Sequence, residues 1–175
     1  MDTIVWRYDP VVITDATPVA WHIDNFTRLA GALAGRVDEV VVSFAQIYRK
    51  TRRNLDHAAR ETGNGWTDPD DAAKHDLLAR LNDIAKQSGL NLSLCAQPAL
   101  AHGLSAARCI DAARLDNVAR SMGHAPVSAR TKGARPGCLC AESRDIGGYE
   151  TCPHGCVYCY AVGNPDKARQ AHKDH

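Results

Sequence analysis

The stretch Val37-Asp-Glu-Val40-Val-Val-Ser-Phe44 decides the fold that this chain is predicted to adopt. Its run of valines suits a strand that is buried inside a parallel sheet. A second candidate strand covers residues 3–8 and ends at Asp9-Pro10, where a turn is expected. A third covers residues 90–94 and leads into Cys95-Ala-Gln97. Three short apolar strands are therefore spread over the first hundred residues.

Helical patterns separate these strands. Thr17-Pro18 is expected to begin a helix, with threonine as the N-cap and proline at the first helical position, and Gly35 ends the pattern. Asp68-Pro69 begins the clearest helix of the chain, and weaker helical patterns cover residues 51–61 and 112–122. Trp6 and Trp21 are expected in the core. Strands that alternate with helices predict an α/β fold, with a partial parallel βαβ sheet over residues 1–122.

The remainder of the chain has a different composition. Residues 123–161 are rich in glycine, proline, serine and arginine, show little periodicity and contain five of the seven cysteines. We interpret them as an ordered, cysteine-rich region that binds a cluster. Residues 162–175 form a polar tail that is expected to fray.

Charge and length exclude several classes of protein. The 175 residues form one domain or a large part of one. The net charge of +1 gives no indication of a nucleic-acid or membrane partner, and no apolar window reaches the length of a transmembrane helix. The first residues do not resemble an export signal, so the cysteines are expected to be reduced thiols that bind metal or react. The predicted location is the cytoplasm.

Three cysteines form the strongest motif, Cys152-Pro-His-Gly-Cys156-Val-Tyr-Cys159, which we call the cysteine loop. Thiolates are the usual ligands of iron–sulfur clusters, and a short loop that contains glycine can wrap around one. Three thiolates leave one iron of a 4Fe-4S cluster without a protein ligand. That iron can take a fourth cysteine, which gives an electron-transfer centre, or a small molecule, which gives a reactive centre.

The other four cysteines, which we call the rim cysteines, are Cys95, Cys109, Cys138 and Cys140. Together they can bind a second iron–sulfur cluster or a tetrahedral zinc ion. Cys138 or Cys140 can instead complete the first cluster, or join the loop thiols in a structural zinc module. Cys95 can also be a small buried hydrophobic residue. The basic run from Arg49 to Arg53 can contact phosphates, although a solvated helix face is the simpler interpretation.

The cysteine loop, with Tyr158 just before its last cysteine, resembles the cluster loop of radical S-adenosylmethionine (SAM) enzymes. The resemblance implies that the open iron binds SAM and that reductive cleavage yields a 5′-deoxyadenosyl radical. Parallel sheets bind ligands at the carboxyl ends of their strands. Four polar residues end or directly follow the predicted strands: Arg7, Asp9, Ser43 and Gln97. Together they can hold a zwitterionic cofactor such as SAM. A purely structural ion pair between Arg7 and Asp9 is the alternative.

The chain also resembles a bacterial family described as the domain of unknown function numbered eighteen forty-eight. Matching stretches run in the family's order: Trp6-Arg-Tyr-Asp-Pro10, Ser43-Phe44, Cys95-Ala96, His102-Gly103, Cys109-Ile-Asp111, Cys138-Leu-Cys140 and Asp145–Ala161. Gln97 stands where an acidic residue is expected. The resemblance implies that this chain is the C-terminal half of a TIM-barrel-like fold. It therefore implies a separately encoded N-terminal half or self-association as the partner, or else a truncated product.

Taken together, these patterns favour an iron–sulfur enzyme that resembles radical SAM enzymes, or the half of one that carries the cluster. An iron–sulfur electron carrier or sensor is the second hypothesis, and a structural zinc module is the third.

Overall fold

A four-stranded parallel sheet is the centre of the computed structural model, which describes residues 4–174. Its strands are β1 (Trp6–Val11), β3 (Glu39–Phe44), β5 (Asn91–Leu94) and β6 (Ser105–Ala106), and each lies beside the one before it. A separate antiparallel ribbon pairs β2 (Ile13–Thr14) with β4 (Trp66–Thr67). The helices are α1 (Val19–Leu33), α2 (Arg49–Thr62), α3 (Asp71–Gln87), α4 (Ala112–Ser121) and α5 (Pro165–Lys173). The predicted α/β fold with a parallel sheet is confirmed.

The two faces of the sheet have different chemistry. Val40, Val42 and Phe44 of β3 are buried against α1 and α3, where Phe26 and Leu81 are completely buried. Val41 lies on the opposite face with small residues such as Ala107. Because alternate residues of a strand point to opposite faces, β3 separates a large apolar core from a second face of small and polar side chains. The candidate site lies on this second face.

Strand β1 is longer than its predicted end. A turn was expected at Asp9-Pro10, but the strand continues through both residues to Val11, whose carbonyl accepts a hydrogen bond from Ala45 N–H at 3.0 Å. In the described part of the chain β1 pairs with β3 only, and an edge strand tolerates proline because the missing N–H is not needed on the open side. Thr3, the predicted first residue of this strand, lies outside the described residues.

Helix α1 corrects two other expectations. Its N-cap is Pro18, not Thr17, because the Thr17 hydroxyl donates to the Val12 carbonyl at 2.9 Å and contacts the Thr14 hydroxyl at 2.8 Å. Trp21 is not in the core: it is 42% exposed, whereas Phe26 on the same helix is buried. The sequence did not predict strand β6 or the ribbon of β2 and β4, because strands of two residues have no measurable periodicity.

The C-terminal tail contains a helix, so the expectation that it frays is wrong. The Asn164 side chain accepts hydrogen bonds from the backbone N–H groups of Asp166 and Lys167, and Pro165 occupies the first turn. Ala168 anchors the helix because it is completely buried. The sequence Asn-Pro-Asp carried this capping signal. Among the described residues, no helix has the length and apolarity needed to cross a membrane.

Candidate cysteine-rich site

Three predicted site residues meet where β1 and β3 run side by side. Asp9 and Ser43 lie towards the carboxyl ends of these strands, whereas Arg7 is the second residue of β1 and not at its predicted end. Asp9 accepts hydrogen bonds from the Ser43 hydroxyl and from the Arg7 guanidinium, which also forms an ion pair with it. The second terminal nitrogen of Arg7 donates to the Cys109 sulfur at 2.7 Å. Arg7 therefore connects the half-buried Asp9 carboxylate to a rim cysteine.

Gln97 lies at the same edge but its amide is engaged by the backbone. Its Oε1 accepts from Phe44 N–H at 2.8 Å, and its Nε2 donates to the Phe44 carbonyl at 3.1 Å. The side chain therefore completes the backbone hydrogen bonding of β3 where the strand ends. A carboxylate has no hydrogen for the second bond, which gives a physical reason for glutamine at this position.

Cys95 and Cys109 form a close pair of thiols. Their sulfurs are 3.6 Å apart, Arg135 donates to the Cys95 sulfur at 3.4 Å, and Cys95 is buried while Cys109 is exposed. The hydrogen bond from Cys109 lowers the pKa of Cys95, with Arg135 acting in the same direction, and the same bond raises the pKa of Cys109. Each sulfur of the pair accepts a hydrogen bond from a guanidinium, Cys109 from Arg7 and Cys95 from Arg135.

Cys138 and Cys140 join this pair. Cys109 N–H donates to the Cys140 sulfur at 3.2 Å, and Cys138 packs against the group that contains Cys95. Burial opposes ionisation of Cys138, but hydrogen bonds from Cys140 lower its pKa. Gly137 permits this approach: a Cβ there would lie 2.9 Å from Pro98, and its φ is +76°. The four rim cysteines thus meet at the end of β5.

Asp111 does not act as a partner of Cys109. Its carboxylate caps α4 by accepting from Ala113 N–H at 2.9 Å and Arg114 N–H at 3.3 Å. The sequence Cys109-Ile-Asp111 places a carboxylate two residues after a thiol, and that carboxylate forms the N-cap of α4.

The cysteine loop is closed at its base by Glu150. Its backbone N–H donates to the Ala161 carbonyl at 3.0 Å, and its carboxylate accepts from the N–H groups of Gly163 and Asn164. These backbone hydrogen bonds lower the pKa of Glu150. Within the loop, Gly155 adopts a φ of +66°, which the tight turn between the first two cysteines requires.

The loop thiols are accessible. Cys152 and Cys156 are exposed, and Cys159 is half-buried.

Helix α2 holds the loop in place. Lys50 Nζ donates to the carbonyl oxygens of Cys159 at 2.9 Å and Val162 at 2.7 Å. Asn54 donates to the Val157 carbonyl at 3.2 Å. The sequence favours a solvated helix face for the basic run that contains Lys50. The contacts of Lys50 with the loop could not be predicted, because the sequence pattern does not indicate which loop packs against this helix.

Two cavities flank the loop. One of about 210 Å³ lies between α2 and the loop and is lined by Lys50, Arg53, His57, Cys156 and Cys159, among others. The second, about 370 Å³, shares Lys50 and Cys159 with the first. Its other lining residues are Tyr48, Thr51, Arg135, Tyr158 and Tyr160. The Tyr158 hydroxyl also accepts from Gln46 N–H at 3.1 Å. The larger cavity has the size of a small-molecule site.

The cysteine loop supplies three sulfur donors, Cys152, Cys156 and Cys159. Thiolates are ligands both of iron–sulfur clusters and of zinc. A tetrahedral zinc ion needs four ligands about 2.0–2.3 Å from its centre, whereas a 4Fe-4S cluster distributes its thiolates over different irons. Within residues 4–174, no three histidine, cysteine or acidic side chains are arranged to hold a metal ion.

Comparisons with known proteins give one match. No curated protein and no solved structure matches the chain. A family model described as Domain of unknown function (DUF1848) matches residues 1–161, which include the sheet, the rim cysteines and the cysteine loop. The chain therefore belongs to the DUF1848 family.

Proposed function

We propose that this chain is an iron–sulfur protein resembling radical SAM enzymes, in which Cys152, Cys156 and Cys159 hold a 4Fe-4S cluster. The observation that carries the proposal is the position of the other cysteines. Cys140 accepts a hydrogen bond from Cys109 and lies with the rim cysteines, and no described hydrogen bond links the two groups. The loop then offers three thiolates, and one iron is left for a small ligand. When bound and reduced, such a cluster supplies the electron that cleaves the sulfonium of SAM.

In this proposal the remaining side chains position the cysteine loop and bind the cofactor. Lys50 fixes the loop through two carbonyl oxygens, and Tyr158 lines the larger cavity beside Cys159. Arg7, Asp9 and Ser43 are assigned to the charged groups of the zwitterionic cofactor. Gln97 supports them by holding the end of β3. The thiols suit a reducing compartment such as the cytoplasm.

We also propose that the fold is half of a TIM barrel. The parallel strands follow one another in chain order, and α1 and α3 both pack on one face of the sheet. This arrangement is typical of a TIM barrel, whose helices lie outside and whose ligands bind at the carboxyl ends of the strands. A separate N-terminal half, or a second copy of the chain, would add strands along the open edge of β1. Size measurement of the purified protein, alone and co-expressed with a candidate half, tests this part.

Anaerobic reconstitution with iron and sulfide tests the cluster. We expect an electron paramagnetic resonance (EPR) signal after reduction, and we expect SAM to shift it. Replacing Cys152, Cys156 or Cys159 by alanine should remove the signal. Cys138→Ala and Cys140→Ala are the matched controls, since they remove thiols of the same region and should leave the loop cluster and its response to SAM unchanged.

The same spectra distinguish the other hypotheses. A signal that ignores SAM in wild type but responds to it in Cys138→Ala or Cys140→Ala would identify a fourth cysteine ligand and an electron carrier. Retained cluster iron and sulfide in all three loop variants would refute the ligand assignment. Stoichiometric zinc with no cluster would indicate a structural module.

A further inference from the structure

The pair of Cys95 and Cys109 is a second site with chemistry of its own, separate from the cysteine loop. Their sulfurs are 3.6 Å apart, while a disulfide bond is about 2.05 Å long, so rotation of one or both side chains can bring the sulfurs into bonding distance. The two residues follow neighbouring parallel strands, β5 and β6, which the Ala107 N–H to Leu94 carbonyl hydrogen bond of 2.9 Å keeps in register. The sheet itself therefore holds the thiols together.

The two thiols differ in solvent exposure, and each accepts a hydrogen bond from an arginine. Cys109 is exposed, and Arg7 donates to its sulfur at 2.7 Å. Cys95 is only 4% exposed, and Arg135 donates to its sulfur at 3.4 Å. A guanidinium beside each sulfur stabilises the thiolate, which is the nucleophilic form. An exposed thiol backed by a buried one is the arrangement that thiol–disulfide exchange uses.

We propose that Cys95 and Cys109 are a redox-active dithiol that exchanges two electrons with a low-molecular-weight disulfide. Cys109 passes its proton to the neighbouring Cys95 sulfur, attacks the external disulfide as the thiolate, and forms a mixed disulfide. The first small thiolate that is released takes that proton from Cys95. Cys95, again a thiolate, then attacks the Cys109 sulfur and releases the second small thiolate, which is protonated from water. The pair is oxidised by two electrons, the external disulfide is reduced to two thiols, and one intramolecular disulfide remains. This site shares Arg7 with the proposed SAM site, but its chemistry needs no iron–sulfur cluster.

Peptide mapping after equilibration with mixtures of oxidised and reduced glutathione tests the proposal. Trypsin cleaves after Arg108, so Cys95 and Cys109 fall in different peptides and a disulfide joins them. We expect the joined peptides to form as the oxidised fraction rises, and to disappear when excess reduced glutathione is restored. Cys95→Ser and Cys109→Ser should each abolish them. Cys138→Ser, which removes a neighbouring rim thiol, should retain them.

Three results would overturn the proposal. Quantitative alkylation of both cysteines after treatment with oxidised glutathione would show that the thiols do not pair. Protection of both by stoichiometric zinc or iron, measured on the same purified protein, would assign the rim cysteines to a second metal or cluster site instead. Loss of the disulfide in Cys138→Ser would also contradict the assignment to these two thiols alone.

The arginine contact gives a kinetic test. Arg7→Gln should slow formation of the mixed disulfide at Cys109 by roughly tenfold, because the thiolate loses its cation. Arg130→Gln is the control, since Arg130 pairs with Glu142 on an exposed surface. Equal rates in the two variants would overturn the role assigned to Arg7.

Discussion

Replacing Lys50 by methionine should release the cysteine loop from helix α2. Methionine keeps most of the apolar stem but cannot donate to the carbonyl oxygens of Cys159 and Val162, which Lys50 contacts at 2.9 and 2.7 Å. A hydrogen bond that involves a charged group contributes roughly 1.5–3 kcal/mol. Lys50 is half-buried, so we use the lower value. Two such bonds then give about 3 kcal/mol, which corresponds to more than a hundredfold increase in the population of the open loop.

Hydrogen exchange measures this opening directly. The reporters are the N–H groups of Glu150, Gly163 and Asn164, which donate hydrogen bonds at the base of the loop. In Lys50→Met we expect their exchange to accelerate by about a hundredfold, because local opening controls exchange at such positions. Amides in α3 should be unchanged.

Arg53→Met is the matched control. Arg53 lines the cavity beside Lys50 but makes no hydrogen bond or ion pair with the described residues. If Lys50→Met accelerates exchange at the loop base no more than Arg53→Met does, the inference that Lys50 holds the loop is wrong.

Three further predictions concern stability. Phe26→Ala should cost about 3–5 kcal/mol in urea unfolding because Phe26 is fully buried, whereas Trp21→Ala on the exposed side of the same helix should cost under about 1 kcal/mol. Gln97→Glu should lower stability by about 1–3 kcal/mol, because the Phe44 carbonyl loses its donor and faces a carboxylate; an unchanged melting temperature would contradict this. Burial lowers the pKa of His22, so the unfolded chain binds the proton first. Stability should therefore fall as the pH drops below about 6.5, and urea midpoints of His22→Gln should depend less on pH.

The sequence motifs predict only part of the arrangement of the cysteines. The spacing of Cys152, Cys156 and Cys159 identifies three thiols that must lie close together, because so few residues separate them. The grouping of the rim cysteines has no such local cause: Cys140, whose sulfur accepts a hydrogen bond from Cys109 N–H, lies 31 positions after Cys109 in the chain. Sequence left open whether Cys140 belongs with the loop or with Cys95, and only the folded chain places it beside Cys109.

What the sequence determined by itself was the class of fold. The valines of β3, the capped helix α3 and the glycines at helix ends are local signals, since periodicity and capping act within a few residues. Tertiary structure decided the two-residue strand β6, the contact of Lys50 with the loop and the pairing of Cys95 with Cys109. These features depend on residues that are distant in the chain and meet only when the sheet forms. The free energy that selects them comes from packing and hydrogen bonds between elements, which no local pattern encodes.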